Sequence, residues 1–253
     1  MTFSTVLALP HLLKAFSFLC VAAFGMIALI HWRRAHINVP KAVGVVLDRK
    51  AAIEFSVGTL IGAATMLAIF GFEFLAGLLH VKTAVFVGHN ILRSASSYLL
   101  SGFVEELLFR GLLLSGILLL VRQCWAAVAL MAAVFGLSHV ANPEVSSLSI
   151  FSNALGGVVY AIAYLLSKRL WLGTGIHFAW NFVQGPMLGF PVSGGTVLWG
   201  GLVAQSVTGP DWLTGGAYGP EGGLVSIFFR FVAAGLVVLW CAWVTPKPVA
   251  PRV

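Results

Sequence analysis

The stretch SGFVEELLFRGLLLSGILLL, residues 101–120, decides how the chain is read. It is long enough to cross a bilayer as a helix, which takes roughly 20 apolar residues, yet it carries Glu105, Glu106 and Arg110 near its middle. A charged side chain at the centre of a membrane helix costs about 3 kcal/mol, so three cost about 9. Each Leu, Ile, Val or Phe offsets only about 0.3–0.6 kcal/mol of that. Isolated charges would leave the helix marginal, so these must be paired or face a polar cavity. Glu106 and Arg110 stand four residues apart, on one helix face, with the glutamate N-terminal as the favourable order requires. Glu105 lies about 100° round the helix and is the carboxylate left over. A purely structural alternative stays open at this point, with all three charges tying the helix to a neighbour.

The rest of the chain supports a membrane reading. Of 253 residues, 59% are hydrophobic and 9% charged, and the mean hydropathy is +0.98. Soluble domains carry about a quarter charged residues. Seven apolar runs, at roughly 12–31, 52–79, 94–121, 124–141, 148–166, 170–190 and 224–244, predict an all-α, polytopic helical bundle in a single membrane domain, 1–253. The segment 80–93 is a candidate for an additional dip, so seven or eight transmembrane helices are both expected. The first run lacks a preceding basic region and a cleavage site and is expected to be a retained span.

Basic residues fall on alternate loops. Arg33, Arg34, Lys41, Arg49, Lys50, Arg122, Lys168, Arg169, Lys247 and Arg252 share one side under the seven-span reading, against Lys82 and Arg93 on the other. Ten against two predicts an N-terminus outside and a C-terminus in the cytoplasm. The net charge of +7 is accounted for by these loops, and no basic patch interleaved with aromatics points to nucleic acid. Cys20, Cys124 and Cys241 have neither disulfide-framework nor zinc-knuckle spacing. The glycine-rich stretch 191–223 is expected to be an ordinary connecting loop, with a segment covering a cavity as the alternative.

Two further polar pairs accompany the charges. FGLSH, residues 135–139, ends a span with His139 one turn after Phe135; HFAWN, residues 177–181, sets His177 and Asn181 one turn apart on one face. One buried histidine is ordinarily structural. A carboxylate, two histidines and an asparagine on three spans form a candidate constellation. Glu105 could act as general base toward water held with the help of His139. His177 and Asn181 could donate to the oxygen of a tetrahedral intermediate, where such donors are worth about 3–4 kcal/mol each. There is no GxSxG and no cysteine near a histidine, so a covalent nucleophile is not indicated.

In order, EELLFR, FGLSH and HFAWN match the patterns EExxxR, FxxxH and HxxxN. The chain thereby resembles the CPBP family of intramembrane proteases, which includes the type II CAAX prenyl endopeptidases, over roughly residues 94–190. The resemblance implies a helical bundle with a cavity reached from water and bilayer. It also implies a membrane-associated peptide or protein substrate, prenylated or not. It carries the base onto Glu105, water activation onto His139 and oxyanion stabilisation onto His177 and Asn181, with Glu106, Arg110 and Phe135 in support. A metal-free glutamate mechanism is favoured; the alternative is a divalent metal such as zinc on Glu105, His139 and His177. The compact chain with short loops suggests a bacterial-style inner membrane. The competing reading is a non-catalytic transporter or immunity-type binding protein that uses the same charges as a relay.

Other residues carry weaker expectations. Glu54 and Glu73 lie too far apart to pair with each other, and Arg230 is expected to pair with one of them or to reach the interface. His11, His31, His36, His80 and His89 are expected to be interfacial, as are Trp32, Trp171 and Trp243. Ser152, Asn153, Gly156 and Gly157 suggest close helix packing.

Overall fold

A computed structural model describes residues 3–84, 88–196 and 201–244. The side chain of His89, residues 197–200 of the glycine-rich stretch, and Lys247 and Arg252 lie outside the described residues. The architecture is a helical bundle with one small sheet. Helix α1 (Phe3–Arg34) leads through the short α2 (Val39–Val43) to α3 (Arg49–Leu75) and strand β1 (Leu79–Ala84). A continuous helical rod follows: α4 (Gly88–Glu106), a widened stretch Leu107–Leu114, and α5 (Ser115–Leu120). After it come α6 (Cys124–Leu137), α7 (Ser147–Ser167) and α8 (Trp171–Phe182), the last prolonged by a widened turn, Val183–Met187. Strand β2 (Val203–Val207), the single-turn α9 (Asp211–Thr214) and α10 (Leu224–Val244) complete the fold.

Each of the seven apolar runs is occupied by one rod, so the helical membrane class stands. Four helices, Leu9–Arg34 within α1, α3, α7 and α10, are long and apolar enough to cross a membrane on their own. The rods present large apolar side chains outward, among them Leu19, Leu60, Leu92, Phe228, Leu239 and Trp243. A surface of this kind is matched by lipid rather than by water. The chain is an integral membrane protein.

Two helix ends and one strand pair differ from the sequence reading. The run to residue 79 stops as helix at Leu75, because Gly77 takes a positive φ of 71° and the chain then extends into β1. The run to 141 stops at Leu137, with His139 and Asn142 in the turns beyond it. The all-α reading omits the antiparallel pair β1–β2, in which Leu79 faces Val207 and Ala84 faces Val203. That pair takes up part of the segment expected as a possible dip.

Close approach of helices positions the site. A side-chain carbon at Gly58, Gly62 or Gly175 would collide with backbone of the facing helix, so α3 and α8 pack backbone to backbone. Likewise Gly116 of α5 admits the backbone of Phe24 in α1. At the basic end, Arg169 binds Asp48 at 2.7 Å and Glu54 at 2.9 Å, and the Leu170 N–H donates to the Gly44 carbonyl. The loops after α1 and α7 are thereby joined at one end, as their shared positive charge predicts. At the opposite end lie β1, β2 and the turn after α6.

Candidate active site

Glu105 and Glu106 are the last residues of α4, immediately before the helix widens. Widened turns of this type recur at functional sites. Glu106 Oε1 accepts from Arg110 Nη1 at 3.0 Å, and both side chains are fully buried. The guanidinium lies over the rings of Phe135 (4.4 Å) and Tyr160 (4.9 Å), and its Nη2 donates to the Gly157 carbonyl at 3.3 Å. Gly157 leaves the space this requires: a Cβ there would sit 3.2 Å from the Phe135 ring. The spacing argument for a Glu106–Arg110 pair is met, and the small residue on α7 serves an arginine as well as helix packing.

Glu106 has a second partner. His177 Nδ1, on α8, lies 2.9 Å from the same Oε1. A carboxylate bound to arginine can only accept here, so Nδ1 carries the proton. The imidazole is stacked on Tyr160, with centroids 4.7 Å apart and planes 10° off parallel. Its Nε2 faces Glu105 Oε2 at 3.8 Å, too long for a direct hydrogen bond. Glu105 itself is about one-third exposed. One carboxylate therefore holds the ring and the other stands before its free edge.

His139, just beyond α6, is fixed in a similar way. Its Nδ1 lies 2.9 Å from the Phe135 carbonyl and 3.1 Å from Ser138 Oγ. The carbonyl can only accept, so Nδ1 donates and Nε2 is left for other partners. Phe135 packs edge-on to His139, centroids 4.9 Å apart, as the support expected of it.

Glu105, His139, His177 and Asn181 all line one cavity of about 290 Å³. Phe135 and Tyr160 also line it, while Glu106 and Arg110 lie behind the wall. Among the described residues, no three His, Cys, Asp or Glu side chains are gathered so as to hold a metal ion.

The cavity has a second wall, in the stretch where the sequence offers a covering segment only as the alternative. The glycine-rich stretch is a built cover as well as a connection. Asn142 Nδ2 donates to the Ser193 carbonyl at 3.1 Å, and Ser193 donates from its backbone N–H and its hydroxyl to Glu221 Oε2, at 2.8 and 2.7 Å. Asn153 Nδ2 donates to the Tyr218 hydroxyl at 2.7 Å. Burial and the neighbouring Glu221 push the Tyr218 phenol well above its ordinary range, so it is neutral. Arg230 pairs with neither Glu54 nor Glu73 but lines the cavity. Glu54 is taken by Arg169 instead, and no hydrogen-bond partner is described for the Glu73 carboxylate. No signal in the apolar run around Tyr160 marks it; the lone cation at 230 is a signal, and it meets neither the acidic partner nor the interface expected of it but the cavity.

Fold and cavity together define the class: a polytopic helical membrane protein with a buried carboxylate–histidine–amide site. Residues 87–183 match the family model described as Rce1-like, type II CAAX prenyl endopeptidase Rce1-like. That segment holds all three motifs, and the match supports the resemblance to the CPBP/CAAX proteases that they carry. Comparison with curated proteins and with solved structures gave no match.

Proposed function

We propose that the chain is an intramembrane endopeptidase that hydrolyses a peptide bond of a membrane-associated substrate with a water activated by Glu105. The observation that carries this reading is the division of labour between the two glutamates. Glu106 is buried and bound through one oxygen to both Arg110 and His177. Glu105 is partly exposed in the cavity with no hydrogen-bonded partner as close. In this reaction Glu105 takes a proton from water held with His139, and the water oxygen bonds to the scissile carbonyl carbon. The oxygen of the tetrahedral intermediate is stabilised by Asn181 and His177. The C–N bond then breaks, and the departing amine takes the proton from Glu105. His177 donates from Nε2 only when doubly protonated, because Nδ1–H is committed to Glu106. The reaction proceeds without a metal in this reading.

The same proposal covers placement. Seven spans, with β1 and β2 at the outer face of a bacterial-style inner membrane, fit the strand pairing. An eighth crossing between β1 and α4 would put the two strands on opposite sides. The test is a mass-spectrometric comparison of membrane peptides from cells with the unsubstituted protein and with Glu105→Gln. Products that vanish in a folded Glu105→Gln protein support the proposal. An unchanged peptide pattern, or proton-driven uptake in proteoliposomes without cleavage, would refute it.

A further inference from the structure

Arg230 enters the cavity from α10 as a buried cation, only 3% exposed. Taking a guanidinium out of water costs several kcal/mol unless charge and hydrogen bonds compensate. Here the compensation is neutral: Nε donates to Ser152 Oγ at 3.2 Å, and the group lies over the Trp180 ring at 4.5 Å. Among the described residues it forms no ion pair, although it lines the same cavity as two carboxylates, Glu105 and Glu221. Glu221 Oε2 is already satisfied by both donors of Ser193. Lys14, the other lining cation, lies 3.5 Å from Asn142 Oδ1. Space has been kept for the guanidinium, since a Cβ at Gly156 would collide with Arg230 Nη1. A buried guanidinium that lines the cavity without an ion pair fits a planar carboxylate, which it can bind in a fork.

We propose that Arg230 receives a carboxylate of the substrate and is a specificity-determining residue of this cavity. The inference rests on the peptidase reading and adds to it the chemistry of the bound segment. Trp180 follows His177 by three residues, about 4.5 Å along the helix axis. A carboxylate on Arg230 therefore lies only a few extended residues from His177 and Asn181, at about 3.4 Å per residue. It comes from a free chain terminus or from an acidic side chain of the bound peptide.

Binding to the full chain carrying Glu105→Gln, in detergent micelles, separates the proposal from turnover. The probes are acetylated Ala-Leu-Leu as free acid and as amide, and acetylated Ala-Glu-Leu and Ala-Gln-Leu, both as amides. At least tenfold tighter binding of the carboxylate-bearing member is expected in one pair, and that pair identifies the source. Adding Arg230→Gln should abolish the preference, and Arg230→Lys should retain part of it. Equal affinity within both pairs, with Arg230 intact, overturns the proposal, as does absence of binding by all four peptides. Neither result depends on whether Glu105 hydrolyses a peptide, and the comparison within pairs needs no folded Arg230 variant.

Discussion

His177 is held by Glu106, Nδ1 to Oε1 at 2.9 Å, across 71 residues of chain. This bond makes Glu106 the hinge between the buried arginine and the imidazole edge that faces Glu105. Substituting the two adjacent glutamates should therefore have different consequences. Glu105→Gln should abolish cleavage with little change in melting temperature, because this carboxylate has no short bond to lose. A variant that melts with the unsubstituted protein and still cleaves would remove Glu105 from the chemistry.

Glu106→Gln should destabilise by about 3–5 kcal/mol, since it leaves Arg110 buried without its counter-charge. Replacing both partners, as in E106Q/R110M, should recover much of that loss, because no unpaired charge remains. Activity should not recover, since His177 would still lack its carboxylate. Thermal unfolding and peptide cleavage measured on the same three proteins distinguish these outcomes.

Tyr160 covers one face of His177 and one side of Arg110. Tyr160→Phe should keep both contacts and stay within about 1 kcal/mol in stability, whereas Tyr160→Ala should lose about 3–5 kcal/mol. If the phenylalanine variant is as stable as expected but inactive, the hydroxyl itself takes part in the reaction.

At the basic end, Asp48 caps α3 by accepting from the Ala51 N–H at 2.8 Å and binds Arg169. These two contacts, the backbone bond first, hold its carboxyl below the usual carboxylate range. A lowered folded pKa contributes stability above the unfolded value, about 3.9, which is lost as pH falls through the folded value. Asp48→Asn should accordingly melt below the unsubstituted protein at pH 7. The difference should close in acid, below the ordinary carboxylate pKa. A gap that is constant with pH would deny the ion pair any role.

The strand pairing makes topology measurable. In a chain whose native cysteines are replaced, Thr83→Cys and Gln205→Cys should react with a membrane-impermeant maleimide from the same side, and Lys168→Cys only from the other. Metal dependence has its own test. Cleavage that survives a strong zinc chelator supports the glutamate mechanism, whereas loss restored by added zinc assigns a metal.

Much of the site is legible in the sequence because its motifs are local. Glu106–Arg110 and His177–Asn181 are each one helical turn apart, and helical spacing alone places them. What is not legible is long-range. Nothing in the spacing says that His177 will meet Glu106, or that Glu54 will turn to Arg169 and leave Arg230 in the cavity. Each choice depends on which helices adjoin, and that is set by glycine contacts such as Gly58 and Gly62 against α8. The cover is legible only as an alternative, for a different reason. Its glycines and short turns carry no hydrophobic period, so the order imposed by Ser193, Tyr218 and Glu221 has no periodic signature.

The widened stretch Leu107–Leu114 is clamped at both ends, by Glu106 on the cavity side and by Gly116 against Phe24. Turns bonded at i+5 instead of i+4 accommodate additional residues between two fixed points, as an α-helix does when it absorbs an insertion. Shortening the stretch by one residue, for example by deleting Leu112, would let normal winding resume while both clamps keep their register. The fold has slack to give up there, and the alignment of Arg110 behind the cavity wall does not. The length of this segment is thus a property of the cavity more than of the bundle.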